Sequence, residues 1–263
     1  MKIMKKIVLM IGILGLVAFG MASCERDDDN GGTGNGNTPT NPTDTTSTPT
    51  NPTNPTDTTS TPTDTTATPV PEGYVDLGLP SGLLWAKCNL GATTPEGYGN
   101  YYAWGETQPK SEYTWATYTY GDTTYHLYKY NTSADYGTVD NKTTLEAADD
   151  AATVVLGGGA RMPTSDDWVE LRSNTTGEWT QQNGVNGWKF TATNGNSLFL
   201  PAAGRRCGSS LYDGGTYGFY WSSSLLTDDP SRVRNFYFHS DGSRMNSFNR
   251  NYGFSVRAVR SQN

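Results

Sequence analysis

Few residues of this chain have the type and spacing that catalysis requires. The 263 residues include only two histidines, His126 and His239, and neither has a metal-binding spacing such as His-x-x-x-His. A lone histidine among tyrosines is typical of a surface or packing position. The sequence contains no Gly-x-Ser-x-Gly turn, and the three glycines 157–159 follow a predicted helix instead of opening one, which argues against a phosphate loop. We therefore predict no enzymatic activity, no metal and no cofactor.

Cysteines are the other candidates for chemistry. The chain has Cys24, Cys88 and Cys207. In an oxidising compartment Cys88 and Cys207 could form a structural disulfide. They could equally be two unrelated thiols, and the sequence leaves both alternatives open.

The last 63 residues have the composition of a binding surface. Residues 201–263 carry eight arginines and four aspartates, whereas residues 72–200 carry seven basic and fifteen acidic side chains. Tyrosine, phenylalanine and arginine in turns supply rigid contact area and adaptable hydrogen bonds. The predicted ligand-binding residues are Arg205, Cys207, Tyr212, Asp213, Tyr217, Phe219, Leu226, Arg234, Tyr237, His239, Arg244, Ser247, Phe248 and Tyr252. The alternative is that half of them pack beneath the loops.

A second group of aromatic residues precedes this region. Its members are Tyr98, Tyr101, Tyr102, Trp104, Tyr113, Trp115, Tyr118, Tyr120, Tyr125, Tyr128 and Tyr130. Aromatic faces suit sugar rings, so a glycan platform is one interpretation. Alternating tyrosines such as Tyr118 and Tyr120 more often indicate strand packing.

Short strands and two small helices must position these residues. Turn signals every 8 to 12 residues favour many strands. The predicted strands are 83–87, 101–104, 188–191, 197–201, 219–223, 235–239 and 254–259. In 235–239 the alternation places Phe236 and Phe238 inward and Asn235, Tyr237 and His239 outward.

Two segments have helical character. One runs from about Thr144 to Leu156 and is stopped by the glycines 157–159. The other begins at Thr164 or Ser165 as N-cap and carries Trp168 and Leu171 on one face. The fold class predicted is α+β with little helix.

The N-terminus predicts export and a lipid anchor. Lys2, Lys5 and Lys6 precede an apolar run, 7–20, that is too short to span a bilayer comfortably. The run ends in Met21-Ala22-Ser23-Cys24, which resembles the lipobox of bacterial lipoproteins. That resemblance implies lipidation of Cys24 and an outer-membrane location. The next segment, Glu25-Arg26-Asp27-Asp28-Asp29, resembles the acidic surface-export signal of Bacteroidetes lipoproteins, which usually has Lys in place of Arg26.

Residues 25–71 form a predicted disordered stalk. From residue 30 onward they are almost entirely Thr, Pro, Asn, Asp, Gly and Ser, which cannot bury enough apolar surface to offset chain entropy. The predicted divisions are a signal peptide 1–23, the lipidated cysteine and stalk 24–71, and a ligand-binding domain 72–263. The domain carries 15 basic and 19 acidic residues, which excludes nucleic acid as a partner.

Blocks of the C-terminal region resemble a known family. They occupy 76–86, 102–106, 161–168, 200–204, 220–224 and 253–257, and include Arg161-Met162-Pro163-Thr164 and Tyr220-Trp221-Ser222-Ser223-Ser224. In this order they resemble the Fibrobacter succinogenes major paralogous domain. The resemblance implies a C-type-lectin-like domain of short twisted antiparallel strands, two helices and long loops, in the branch that includes formylglycine-generating enzymes.

The same resemblance reduces the number of functions that we expect. The cysteine pair of the oxidase branch is missing, since 204–208 offers only Cys207, and the calcium-dependent sugar motifs of C-type lectins are missing too. Variable residues between fixed blocks also resemble the targets of diversity-generating retroelements. We expect a non-enzymatic surface receptor or adhesin for a protein or another cell-surface molecule. A glycan-binding module and, remotely, a formylglycine-type oxidase are the alternatives.

Overall fold

The computed structural model describes residues 69–262, and this part of the chain is rich in short strands. It contains two helices, α1 (Ala151–Leu156) and α2 (Ser165–Ser173). The strands are β1 (Tyr74–Asp76), β2 (Leu84–Ala86), β3 (Gly121–Thr123), β4 (His126–Leu127), β5 (Thr175–Gln182), β6 (Val185–Ala192), β7 (Ser197–Pro201), β8 (Arg205–Cys207), β9 (Ser210–Tyr212), β10 (Gly218–Leu225), β11 (Arg232–His239), β12 (Gly242–Asn249) and β13 (Val259–Arg260). The α+β prediction is confirmed at the level of small antiparallel sheets with few helices. The predicted signal peptide, Cys24 and nearly all of the predicted stalk lie outside the described residues.

The sheet β10–β11–β12 organises the core. Both pairings are antiparallel, and Tyr237 of β11 lies opposite Phe219 of β10 and Arg244 of β12. Because successive side chains of a strand point to opposite faces, this register gives the sheet two chemically distinct faces. Each face packs on a different hydrophobic cluster.

One face packs on α2 and on the sheet β5–β6–β7. The ring of Trp168 from α2 stacks on Phe236 at 4.9 Å and lies 4.7 Å from Trp85 of β2. Phe238 meets Trp188 of β6 at 6.1 Å. The other face carries Trp221, which stacks on Phe254 at 3.9 Å. A three-stranded sheet with both faces covered therefore holds the two clusters together.

A second three-stranded sheet joins the two ends of the described chain. β2 lies between β1 and β13, with Val259 opposite Trp85. Arg161, just before α2, forms a further bridge to Val259. The remaining strands form two two-stranded sheets, β3–β4 and β8–β9.

The second predicted helix is confirmed, including its start. Thr164 is the N-cap, its hydroxyl accepts from the backbone N–H of Asp167, and the Asp167 carboxylate accepts from the N–H of Thr164. This reciprocal pair satisfies two N–H groups that have no partner within the helix. Trp168 and Leu171 are buried as predicted.

The first predicted helix is wrong in its first half. Only Ala151–Leu156 is α-helical, after a 3₁₀ turn at Ala147–Asp149. Asp150 caps α1 by accepting from the N–H of Thr153. Its second carboxylate oxygen accepts from the N–H of Met162, which lies beyond the helix. Upstream, the N–H of Leu145 donates to the carbonyl of Ser223, so the chain runs beside β10 and cannot coil there. The helix ends at Gly157 as predicted.

Five strand predictions were right, and two were wrong where backbone pairing is sparse. β2, β6, β7, β10 and β11 match predicted strands. Segment 101–104 makes only one bridge, from Tyr102 to Phe254, and 254–259 is strand only at Val259. Asn235 is fully buried, contrary to prediction, because both faces of β11 are covered at this position.

Within residues 69–262, neither helix has the length and apolar character needed to cross a bilayer.

Candidate functional site

The fourteen predicted ligand-binding residues differ in exposure. Tyr212, Arg234 and Arg244 are exposed, and Asp213, Tyr217, Leu226, Tyr237, His239 and Ser247 are half-buried. The other five are buried, and their exposure was wrongly predicted: Arg205, Cys207, Phe219, Phe248 and Tyr252. The site must therefore be rebuilt from the residues that solvent can reach.

Four predicted residues come together at one end of the sheet β10–β11–β12. We call Tyr217, Tyr237, His239 and Arg244 the tyrosine face. Tyr217 stacks on Tyr237 with centroids 5.7 Å apart, and His239 lies 5.5 Å from both rings. The guanidinium of Arg244 lies 5.0 Å from the centre of the Tyr237 ring. Strand register sets this arrangement, because Tyr237 and Arg244 are cross-strand partners.

A hydrogen bond to the backbone orients the imidazole of the tyrosine face. The N–H of Asp241 donates to Nδ1 of His239 at 3.2 Å. The tyrosine face thus combines two aromatic rings, a guanidinium and an imidazole held by the backbone of Asp241.

A packed aromatic layer lies beside the tyrosine face, on the same side of the sheet. Phe219 lies 5.2 Å from Tyr237, 5.4 Å from Phe248 and 5.1 Å from Phe254. Tyr252 meets Phe248 at 6.2 Å. Phe219, Phe248 and Tyr252 were predicted to contact ligand, but they are buried in this layer and pack beside the tyrosine face.

Arg205 belongs to the same buried layer. Its guanidinium lies between 5.4 and 5.6 Å from the rings of Phe219, Phe248 and Tyr252. Nε pairs with the Asp213 carboxylate at 3.2 Å. Since only 3% of Arg205 is exposed, its role is to hold Asp213 and the aromatic layer in place.

Five predicted residues are neither buried nor part of the tyrosine face: Tyr212, Asp213, Leu226, Arg234 and Ser247. Arg234 and Ser247 are cross-strand partners, and both point to the opposite side of the sheet from Tyr237 by strand alternation. Leu226 follows β10 in the turn to β11, where its N–H bonds the carbonyl of Arg232. Tyr212 is exposed on β9, next to Asp213.

Three of the eight arginines in the last 63 residues are buried. Arg205, Arg250 and Arg257 are buried, and the last two are fully so. Arg257 donates to Asn89 Oδ1 and to the carbonyls of Ala86 and Lys87. These arginines stabilise the fold, so the sequence overstated the basic character of the surface.

The aromatic residues between 98 and 130 belong mainly to the hydrophobic core. Tyr101, Tyr102, Trp104, Tyr113, Tyr118 and Tyr130 are buried, and Trp104 Nε1 donates to the carbonyl of Ser222 at 2.8 Å. Tyr98, Trp115 and Tyr120 are half-buried. Tyr125 and Tyr128, on and beside the hairpin β3–β4, are exposed. A continuous glycan platform over 98–130 is therefore not formed.

Cys88 is a free cysteine, so it forms no disulfide with Cys207. Burial raises the pKa of the Cys88 thiol, although Arg257 nearby opposes the shift. A raised pKa lowers the fraction of reactive thiolate at neutral pH.

No group of three or more metal-binding side chains occurs between residues 69 and 262. His126 instead pairs with Asp122 at 2.8 Å on the exposed side of the hairpin β3–β4.

The chain matches no protein-family model, no curated protein and no solved structure.

Proposed function

We propose that this chain is a lipid-anchored, non-enzymatic surface receptor or adhesin that binds a protein through the tyrosine face. The observation that carries the proposal is the half-exposed cluster of Tyr217, Tyr237, His239 and Arg244 on a rigid sheet. Tyrosine and arginine dominate the binding energy of protein interfaces. Here they are ordered before a ligand arrives, which reduces the entropy cost of binding.

The proposal extends to family and location. We assign residues 72–263 to a C-type-lectin-like domain of the major paralogous type, anchored to the outer membrane through Cys24. The burial of Trp85, Trp104, Trp168 and Trp221 supports this assignment, because all four lie in the blocks that carry the resemblance. Blocks that form the core act as scaffold, and the residues between them can vary.

Diversification of the C-terminal loops is part of the same proposal. Tyr217, Tyr237, His239 and Arg244 all lie between the blocks 200–204, 220–224 and 253–257. A reverse-transcriptase gene next to this one, with a near-repeat of its 3′ end, would support retroelement diversification. A gene neighbourhood without them would contradict it.

Binding of the purified full chain to immobilised mucin, fibronectin and collagen, each enzymatically deglycosylated so that only the polypeptide is probed, tests the proposed function. Arg244→Ala and Tyr237→Ala should each weaken saturable binding by about 2 kcal/mol, roughly thirtyfold in Kd. Matched controls are Arg172→Ala and Tyr125→Ala, which remove exposed side chains elsewhere and should leave Kd unchanged. If each variant has the same Tm as the unmodified chain, its weaker binding is due to the lost contact and not to unfolding.

Two results would contradict the proposal. One is binding that Arg244→Ala and Tyr237→Ala leave unchanged, and the other is the absence of saturable binding to all three proteins. Phe248→Ala is unsuitable as a test because Phe248 is buried, and its removal would cost about 3–5 kcal/mol of stability.

A further inference from the structure

A small cleft lies where the C-terminal segment meets the earlier aromatic group. Its lining combines Tyr113, Thr114 and Trp115 with Cys207, Asn249, Asn251 and Tyr252, and its volume is about 90 Å³. The backbones of Tyr113 and Gly208 hold the two segments together through two hydrogen bonds of 2.9 and 3.0 Å. Residues from two distant parts of the sequence thus form one concave site.

Aromatic side chains form much of the lining. Trp115 is half-buried, and its ring meets Tyr118 edge-on at 5.6 Å, which restricts the indole. Tyr113 is buried, and its hydroxyl already donates to the carbonyl of Tyr101 at 2.6 Å. Since that hydroxyl is engaged, Tyr113 contributes mainly apolar surface to the cleft.

Two amide side chains contribute the polar part of the lining. Asn251 is only 3% exposed, and its Oδ1 has no hydrogen-bond partner among residues 69–262. A buried polar atom without a partner costs about 1–3 kcal/mol. Because this oxygen is itself buried, the Asn251 side chain must turn toward the cleft before a ligand donor can reach the oxygen and recover that cost. Asn249 is half-buried beside it in the lining.

We propose that this cleft binds the acetamido group of an N-acetylated hexosamine. The methyl group would contact the aromatic lining, while the amide N–H and C=O would pair with Asn251 and Asn249. An acetamido group has both a donor and an acceptor, so it satisfies the Asn251 amide in either of its two flipped orientations. The cleft is small, about 90 Å³, and therefore suits a group of four heavy atoms better than a whole sugar ring.

This inference goes beyond the proposed function. It assigns a second ligand class to a site that none of the four residues of the tyrosine face lines. The two sites can therefore fail independently.

Calorimetric titration of the full chain with N,N′,N″-triacetylchitotriose (chitotriose below) and cellotriose tests the proposal. The two trisaccharides share the same linkage and differ at C2, where chitotriose has the acetamido group and cellotriose a hydroxyl. A trisaccharide ending in N-acetylgalactosamine serves as a further probe. We expect at least one of the N-acetylated probes to bind tenfold or more tightly than cellotriose.

Substitutions in the cleft test whether the sugar binds there. Trp115→Ala and Asn249→Ala should each weaken binding of the N-acetylated probe at least tenfold. Trp179→Ala removes a half-buried indole from β5, and it should leave that affinity unchanged. Asn251→Leu keeps the side-chain shape without the amide and should abolish binding, and its Tm reports whether it folds.

Several results would overturn the proposal. They are an affinity of both N-acetylated probes no higher than that of cellotriose, and binding that Trp115→Ala and Asn249→Ala leave intact. Arg244→Ala should not change sugar affinity. If it abolished both sugar and protein binding, the ligands would share the tyrosine face and the cleft assignment would be wrong.

Discussion

Buried arginines without carboxylate partners show how single residues stabilise this fold. Arg250 is fully buried, and its guanidinium donates to Tyr118 Oη and to the carbonyls of Lys129, Tyr130 and Pro230. Tyr130 has a left-handed backbone, φ 58°, which is costly for a non-glycine residue. The hydrogen bond from Arg250 to its carbonyl helps to hold that conformation.

Arg257 allows a direct test of this role. Arg257→Leu should lower the free energy of unfolding by about 3–5 kcal/mol, because the carbonyls of Ala86 and Lys87 and the Asn89 amide would lose their donors. Urea denaturation of the full chain measures the effect. Arg172→Ala, at an exposed position, should change stability by no more than about 0.5 kcal/mol. Equal effects of the two substitutions would contradict a structural role for Arg257.

Asp149 should make stability depend on pH. Burial favours the protonated carboxyl, but hydrogen bonds from Lys129, Tyr130 and Tyr120 outweigh it and lower the pKa of Asp149. As pH falls, the unfolded chain is protonated first, near its ordinary pKa of about 4. The stabilisation is therefore complete above that pH and is lost as pH falls through the lower pKa of the folded state.

The matched variants for this effect are Asp149→Asn and Asp135→Asn. Unfolding free energies measured by urea between pH 5 and pH 3 should fall less steeply in Asp149→Asn than in the unmodified chain. Asp135 is exposed, so Asp135→Asn should keep the original slope. Parallel slopes for all three proteins would show that Asp149 does not contribute.

At the scale of elements, signals confined to a few neighbouring residues gave reliable predictions. Thr164 and Asp167 mark the start of α2, and Gly157 marks the end of α1. Strands β5 and β12 lacked such a signal because they are mostly polar, and only pairing with β6 and β11 shows that they are extended. A strand at a sheet edge needs few apolar side chains.

The pairing of β10 with β11 depends on a glycine. Gly218 lies opposite Phe238, and a Cβ at this position would be 2.0 Å from the Phe238 ring. Gly218→Ala should therefore lower Tm and cost about 1–3 kcal/mol through overpacking. Gly214→Ala is the control, since its Cβ would meet Leu211 at an ordinary 3.5 Å. A Tm for Gly218→Ala equal to that of the control would contradict the tight packing.

At the scale of the whole molecule, one sheet connects two hydrophobic clusters. Phe236 belongs to the cluster around Trp168, and Phe254 belongs to the cluster around Trp221. Because β10 and β11 contribute to both clusters, loss of packing on one side removes support from the other. We expect the domain to unfold as one cooperative unit.

Phe236→Ala and Phe254→Ala test that expectation. Each should cost about 3–5 kcal/mol, and tryptophan fluorescence and far-ultraviolet circular dichroism should give the same transition midpoint in both variants. Val169→Ala removes an exposed apolar side chain and should have little effect. Two separated transitions in either variant would mean that the clusters fold independently.

We also expect protein binding by the whole molecule to be independent of divalent cations. Protein binding by the tyrosine face should persist in excess chelator, because its rings, imidazole and guanidinium need no metal. The same immobilised proteins serve as probes, with and without EDTA. Loss of binding in EDTA, restored by calcium, would contradict this binding mode.

The sequence alone determined the strand-rich α+β class, the start of α2 and the inward positions of Phe236 and Phe238. These depend on local periodicity and capping, which a short window of sequence contains. Tertiary structure decided which aromatic residues are accessible. Tyr237 and Phe248 are both aromatic and lie in adjacent strands. Phe248, however, is covered by Phe219, Tyr252 and Phe254. Burial depends on contacts between residues far apart in sequence, so only the packed fold separates the aromatic residues that support the site from those that a ligand can reach.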